Sequence, residues 1–331
     1  MRIRLALAAA VATAATAALG QDAFDPAIVY DLGGKFDKSF NEAAYTGAER
    51  FSEETGVGYR DFEIQNDAQR EQAIRRFARR GHNPVLAIGF SHANALEKVA
   101  AEFPETDFAI VDMVVDLPNV RSILFKEHEG SYLVGILAAM AAGEGDVGFV
   151  GGMDIPLIRK FACGYVGGAK SVDPEIAVFQ NMTGATGAAW NDPVKGAELA
   201  MSQFDRGAEV VYHAAGGTGV GVLQAAADAG KLGVGVDSNQ NGLHPGHVLT
   251  SMLKRVDVAV FETFMDAMNG AFEPGVEVLG LAEGGVGWAL DEHNEDLITP
   301  EMTAAVEAAT RKIVSGEVEV HDYMSDQSCP Y

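Results

Sequence analysis

Val210-Val-Tyr-His-Ala-Ala-Gly-Gly-Thr-Gly219, then Val-Gly-Val-Leu-Gln-Ala-Ala-Ala-Asp-Ala229, then Gly-Lys-Leu-Gly-Val-Gly-Val-Asp237, is the stretch that decides the fold. Residues 210–214 and 233–236 are short apolar runs with no polar alternation, as strands buried on both faces must be. Between them, a glycine turn opens an Ala-rich helical segment over 220–229. Strand, turn, helix and strand in that order form a βαβ unit of a parallel sheet.

The same alternation extends in both directions. Strands are expected at 27–30, 58–63, 85–89, 108–111, 147–150, 177–181 and 248–252, with helices at 39–55, 67–80, 94–102, 130–142 and 193–204. The pattern runs once over 27–122 and again over 146–252, which predicts two doubly wound Rossmann-like lobes. Two further helices follow, at 256–269 and at 299–315, the latter with Pro300 in its first turn. Elements added after both repeats imply that the chain crosses between lobes several times, forming a hinge. The expected division is 22–124 plus 255–275 for the N-terminal lobe and 125–254 plus 276–331 for the C-terminal lobe.

The chain begins Met-Arg-Ile-Arg and continues with a small apolar run over 5–20 that ends Ala18-Leu19-Gly20. That is the pattern of a cleaved secretory leader over residues 1–20, favoured over a membrane anchor because the run is Ala-rich and only just long enough to span. No cysteine follows the run, so a soluble periplasmic product without a lipid anchor is expected. The net charge is −23, and loss of Arg2 and Arg4 with the leader takes it to about −25. Such a chain repels phosphate backbones and anionic surfaces, which argues against nucleic acid as a partner. Two cysteines, Cys163 and Cys329, without CxxC spacing in an oxidising compartment, favour one long-range disulfide over a metal site or a reactive thiol.

In open α/β sheets the ligand lies beyond the carboxyl ends of the strands. Acids and amides cluster there: Asp31, Asp112, Asn181 and Asp237, with Lys254 after the last strand of the second repeat. Short acceptors suit a neutral ligand bearing hydroxyls, and a lysine near Asp237 donates to those hydroxyls while balancing the acids. Ser39 with Glu42 three residues later reads as a capping box for the first helix. Phe40 suits either the core or a flat heterocycle beside Asn41. The glycines over 216–221 do not match GxGxxG or a P-loop, and residues 237–248 lack the acid a calcium loop needs, having Val248 at position twelve. No HExxH, GxSxG or acid/base pair is present. Binding without catalysis or a cofactor is therefore expected.

Asp37-Lys-Ser-Phe-Asn41, Ala214-Ala-Gly-Gly-Thr-Gly219, Gly235-Val-Asp-Ser238 and Thr250-Ser-Met-Leu-Lys254 together resemble the basic membrane protein (BMP) family of substrate-binding proteins. That family includes purine-nucleoside receptors of ABC importers. The resemblance covers nearly all of the chain after residue 20 and implies a type I periplasmic binding protein fold. It also implies a monomer that captures a purine nucleoside or related heterocycle and delivers it to an inner-membrane ABC permease. The alternatives are a receptor feeding a signalling sensor and an exported nucleoside-processing enzyme. Position by position, the resemblance assigns the base edge to Asp31 and Asn41 and one stacking ring to Phe40. The second ring falls to Trp190, with Tyr212 as runner-up, and the hydroxyl contacts to Asp112, Gly219, Asp237 and Lys254. The sequence departs from the family pattern at Phe36, where many members carry an acid, and at Trp190, where Phe is commoner.

Overall fold

The computed structural model describes residues 24–331; the leader expected at 1–20 lies outside the described residues. The first half of the chain forms β1 (Ala27–Tyr30), α1 (Phe40–Thr55), β2 (Arg60–Glu63), α2 (Gln69–Arg79), β3 (Val85–Ala87), α3 (Ala93–Glu102), β4 (Phe108–Val111) and β5 (Val120–Phe125). Then come α4 (Glu127–Ala142), β6 (Asp146–Met153), α5 (Pro156–Val172), β7 (Val178–Gly184), α6 (Pro193–Phe204), β8 (Ala208–Ala214), α7 (Gly219–Asp228), β9 (Leu232–Asp237) and β10 (Val248–Lys254). The last elements are α8 (Val256–Met268), β11 (Gly275–Leu279), β12 (Val286–Trp288) and α9 (Pro300–Val314).

Two six-stranded sheets result, ordered β11-β5-β4-β3-β1-β2 and β12-β10-β9-β8-β6-β7. Every pairing is parallel except that of β12 with β10. The doubly wound pair of lobes expected from the alternation is thus the observed architecture. The chain passes from one lobe to the other between Phe125 and Glu127, between Lys254 and Val256, and between Leu279 and Val286. Val256, Val260 and Phe264 of α8 bury their side chains with Tyr30 and Phe51 of the first lobe. Met302 and Val306 of α9 pack with Leu133 of α4 in the second. β11 pairs with β5 along its whole length, from Gly275 opposite Arg121 to Leu279 opposite Phe125, so residues 276–279 lie in the first sheet rather than in the second lobe.

Nearly every side of α4 is buried, because β8, β10 and α5 surround it. Close approach of α5 depends on glycine: a β-carbon at Gly168 would overlap the carbonyl oxygen of Tyr132. Cys163 on α5 is bridged to Cys329, 166 residues away, with Cα atoms 5.6 Å apart. The bridge holds the C-terminal residues against α5, where a β-carbon at Gly167 would meet the ring of Tyr331 at 2.6 Å. No helix among the described residues is long and apolar enough to cross a membrane.

Candidate functional site

The loop between β1 and α1 builds one wall of the interlobe cleft. Asp37 caps α1: its Oδ1 accepts from the backbone N–H groups of Ser39 (2.8 Å) and Glu42 (3.1 Å), and its Oδ2 from that of Asn41 (3.1 Å). The capping box expected from Ser39 and Glu42 is therefore not formed. Asp37 reaches the free N–H groups first, and the Ser39 side chain turns to the other lobe. Burial drives the Asp37 carboxyl up to about 7, against the pull of those three donors. Asn41 spends its amide on the wall itself, accepting from the N–H of Asp31 at 3.1 Å and donating to the carbonyls of Asp31 and Gly34. Asp31 is paired with Arg70 at 2.7 Å and accepts from Ser91 Oγ. Arg70 in turn donates to His92 Nε2 at 3.3 Å, and burial lowers that histidine to about 4, so it stays neutral and accepts.

Across the cleft stand Trp190, Gly216, Val236 and Asp237 of the second lobe, with Ile158 and Phe161 of α5 below. The cavity between the walls is about 70 Å3, and Phe40, Trp190, Asp31, Asn41, Asp112, Asp237 and Lys254 all line it. Most of the lining is apolar. Polar groups converge on it from the ends of β1, β4, β9 and β10, the arrangement of a small-molecule site. Asp112 and Asp237 hold φ of 71° and 64°. The left-handed region is uncommon outside glycine, and residues held there cluster at ligand sites.

A chain of buried charges runs from the cleft to the hinge. Lys254, 2% exposed at its side chain, places Nζ 2.6 and 2.7 Å from the two Asp112 oxygens and 3.0 Å from Glu127 Oε1. Glu127 Oε2 is ion-paired with Lys160 Nζ at 2.9 Å, and Lys160 donates to the carbonyl of Phe125 at 2.7 Å. Burial would raise the Glu127 carboxyl, but the ammonium groups of Lys254 and Lys160 overcome it and hold the group at about 2. Burial likewise disfavours charge on Lys254, yet Asp112, Glu127 and Asp237 raise it above its ordinary range. The Asp237 carboxyl is pushed up by burial, with Lys254 pulling against that. Lys254 also lies over the rings of Phe40 (5.0 Å), Phe125 (5.2 Å) and Phe161 (5.6 Å), within range of cation–π attraction.

Seven of the eight residues expected at the site therefore meet in one cleft. Gly219 does not: it faces inward, and a β-carbon there would overlap the His213 ring. Tyr212 is fully buried in the second core, its hydroxyl 3.3 Å from Ser131 Oγ, and cannot serve as the second ring. Phe36 is 60% exposed and packs edge-on to Tyr45 outside the cleft. Glu127, Lys160, Arg70 and Phe161 belong to the site or its support and were not anticipated. Among the described residues, no group of three His, Cys, Asp or Glu side chains is placed to hold a metal ion.

The family described as ABC transporter substrate-binding protein PnrA-like matches residues 26–323. The ABC transporter nucleoside-binding protein BmpA of Lactococcus lactis subsp. cremoris is 33% identical over 317 residues, covering 89% of this chain and 88% of that protein. An uncharacterized lipoprotein of Pyrococcus horikoshii is 35% identical over 278 residues, covering 80% of this chain and 69% of that protein. That name gives no support to the expectation of a product without a lipid anchor. The crystal structure of an ABC transporter solute-binding protein from Aeropyrum pernix K1 superposes with a TM-score of 0.84 at 31% identity, over 90% of this chain and 93% of that one. The two parallel lobes joined by three crossings are those of a type I periplasmic binding protein, and the chain belongs to the PnrA-like (BMP) family of ABC transporter substrate-binding proteins.

Proposed function

We propose that this chain captures a purine nucleoside between its lobes, as a monomer in the periplasm, and delivers it to an ABC permease in the inner membrane. Family membership already makes it an extracytoplasmic binding protein. The observation that carries the finer reading is the pairing, in one cleft, of two aromatic residues from opposite lobes with a buried Lys254 flanked by Asp112 and Asp237. Phe40 and Trp190 take the two faces of the base. Asp112, Asp237 and Lys254 bond the ribose hydroxyls, as alternating acceptors and donor. Asp31 takes the base edge, and Asn41 acts by fixing the Asp31 turn. The nucleoside-binding name of the Lactococcus relative favours the same ligand class.

The protein purified without added ligand, then denatured, should release an unmodified nucleoside detectable by mass spectrometry. A released free base together with free ribose would point to catalysis instead. Phe40→Ala and Trp190→Ala should each weaken nucleoside binding by about 1–3 kcal/mol, the worth of one stacked face. Calorimetric affinities within twofold of wild type for both variants would remove the sandwich from the account.

A further inference from the structure

The two lobes are fastened to each other by a set of contacts that draw only Asp237 from the cavity lining. Ser39 Oγ donates to Asp237 Oδ2 at 2.5 Å, and Ser238 Oγ donates to the carbonyl of Ser39 at 2.7 Å. Gln240 Nε2 donates to the carbonyl of Lys38 at 2.9 Å. Ser39, Ser238 and Gln240 do not line the cavity, so three of the four side chains involved remain available whatever the ligand is.

The Gln240 amide is aimed by what lies behind it. Its Oε1 accepts from the N–H of Val236 at 2.8 Å and sits 2.9 Å from His213 Nε2. An oxygen already taken by a backbone donor requires Nε2 of the histidine to carry its proton, and burial keeps that ring neutral, with its pKa lowered to about 4. Two donors on Oε1 leave Nε2 of Gln240 directed at the opposite lobe. The ring of His213 has room only because residue 219 is glycine. Gly219 thus gains a role it lacks as a ligand contact.

We infer that residues 38–39 and 238–240, set by His213 and Gly219, form a closure latch that determines how long a captured ligand is held. His213 and Gln240 are positioning residues here: they act through the seam and touch no ligand atom. The backbone on both sides of the seam, at Lys38 (φ 64°) and Asp237 (φ 64°), is in the left-handed region. This inference rests on capture by lobe closure and is independent of which molecule is captured.

The test uses Ser238→Ala, Gln240→Met and their combination in the full chain, with stopped-flow ligand release and the interlobe distance from a pair of spin labels. Each single variant should speed release about fivefold, the factor one lost hydrogen bond is worth, with the association rate within twofold. Ligand-free variants should populate longer interlobe distances than ligand-free wild type. Release rates and distance distributions equal to wild type would overturn the latch. If wild type binds no nucleoside, the proposed ligand falls, and the ligand-free distances still decide the latch. Gly219→Ala should speed release alone yet add nothing in the Gln240→Met background. Full additivity would overturn the His213 and Gly219 leg, because it would mean that Gly219 acts elsewhere.

Discussion

Lys254→Met is expected to lower the free energy of unfolding by about 3–5 kcal/mol, the usual cost of leaving a buried charge without its partner. The ammonium group is the only cation within 4 Å of Asp112 among the described residues, whereas Glu127 keeps Lys160. Methionine fills much the same volume, so the loss reports charge rather than a cavity. The sign of the pH dependence follows. Burial, with Glu127 and Asp237 adding to it, already raises the Asp112 carboxyl to about 6 against the pull of Lys254, and without the lysine its folded pKa rises further above its unfolded one. The stability of such a group is intact below the unfolded value and is lost as pH rises through the folded one. Urea unfolding should therefore show a larger deficit at pH 7.5 than at pH 4.5, and Asp112→Asn in the same chain should restore much of it. Equal deficits at both pH values would show that the pair is not the source. In wild type, Glu127 acts in the opposite direction: held at about 2, it contributes stability that disappears as pH falls from about 4.5 towards 2.

Removing the Cys163–Cys329 bridge, by Cys163→Ser with Cys329→Ser, should cost about 2–4 kcal/mol. The loop it closes spans 166 residues, for which chain entropy alone sets a ceiling of about 5 kcal/mol, so the effect belongs at the upper end of that range. Loss of the bridge frees Tyr331 from Gly167 and Asp322 from its 3.7 Å contact with Lys160. The 2.9 Å pair of Lys160 with Glu127 joins α5 to α4, does not involve the tail, and should survive. Calorimetry should show the second-lobe transition move down while the first-lobe transition stays. A reductant should reproduce the shift in wild type and do nothing to the double variant. A variant that unfolds at the wild-type temperature would show that the bridge adds nothing to the fold.

The parallel lobes were legible because strands such as 27–30 and 210–214 are buried on both faces and contain no charge. β5 was missed because Arg121 and Ser122 interrupt its apolar run. Both are buried, Arg121 satisfied by Asp266 and the carbonyl of Glu273, and Ser122 by the N–H of Val115. α5 was not singled out, since Gly164, Gly167 and Gly168 lower helix propensity, and only the packed structure shows that two of them admit the backbone of α4. In the site, acids at strand ends announced Asp31, Asp112 and Asp237. Glu127 and Lys160 read as ordinary solvated helix charges, and nothing local reveals that three chain crossings bring them beneath Lys254. Ser39 illustrates a narrower ambiguity: two side chains in one loop can cap the same helix, and the choice depends on a lobe some 200 residues away in sequence.

The central claim, that this cleft holds a purine nucleoside, is tested most directly by titrating ligand-stripped protein with inosine, guanosine, adenosine, riboflavin and simple sugars in a calorimeter. Saturable heat at a one-to-one ratio with at least one purine nucleoside, and none with the sugars, is the predicted result. Heat with riboflavin or a sugar and with no nucleoside would contradict it.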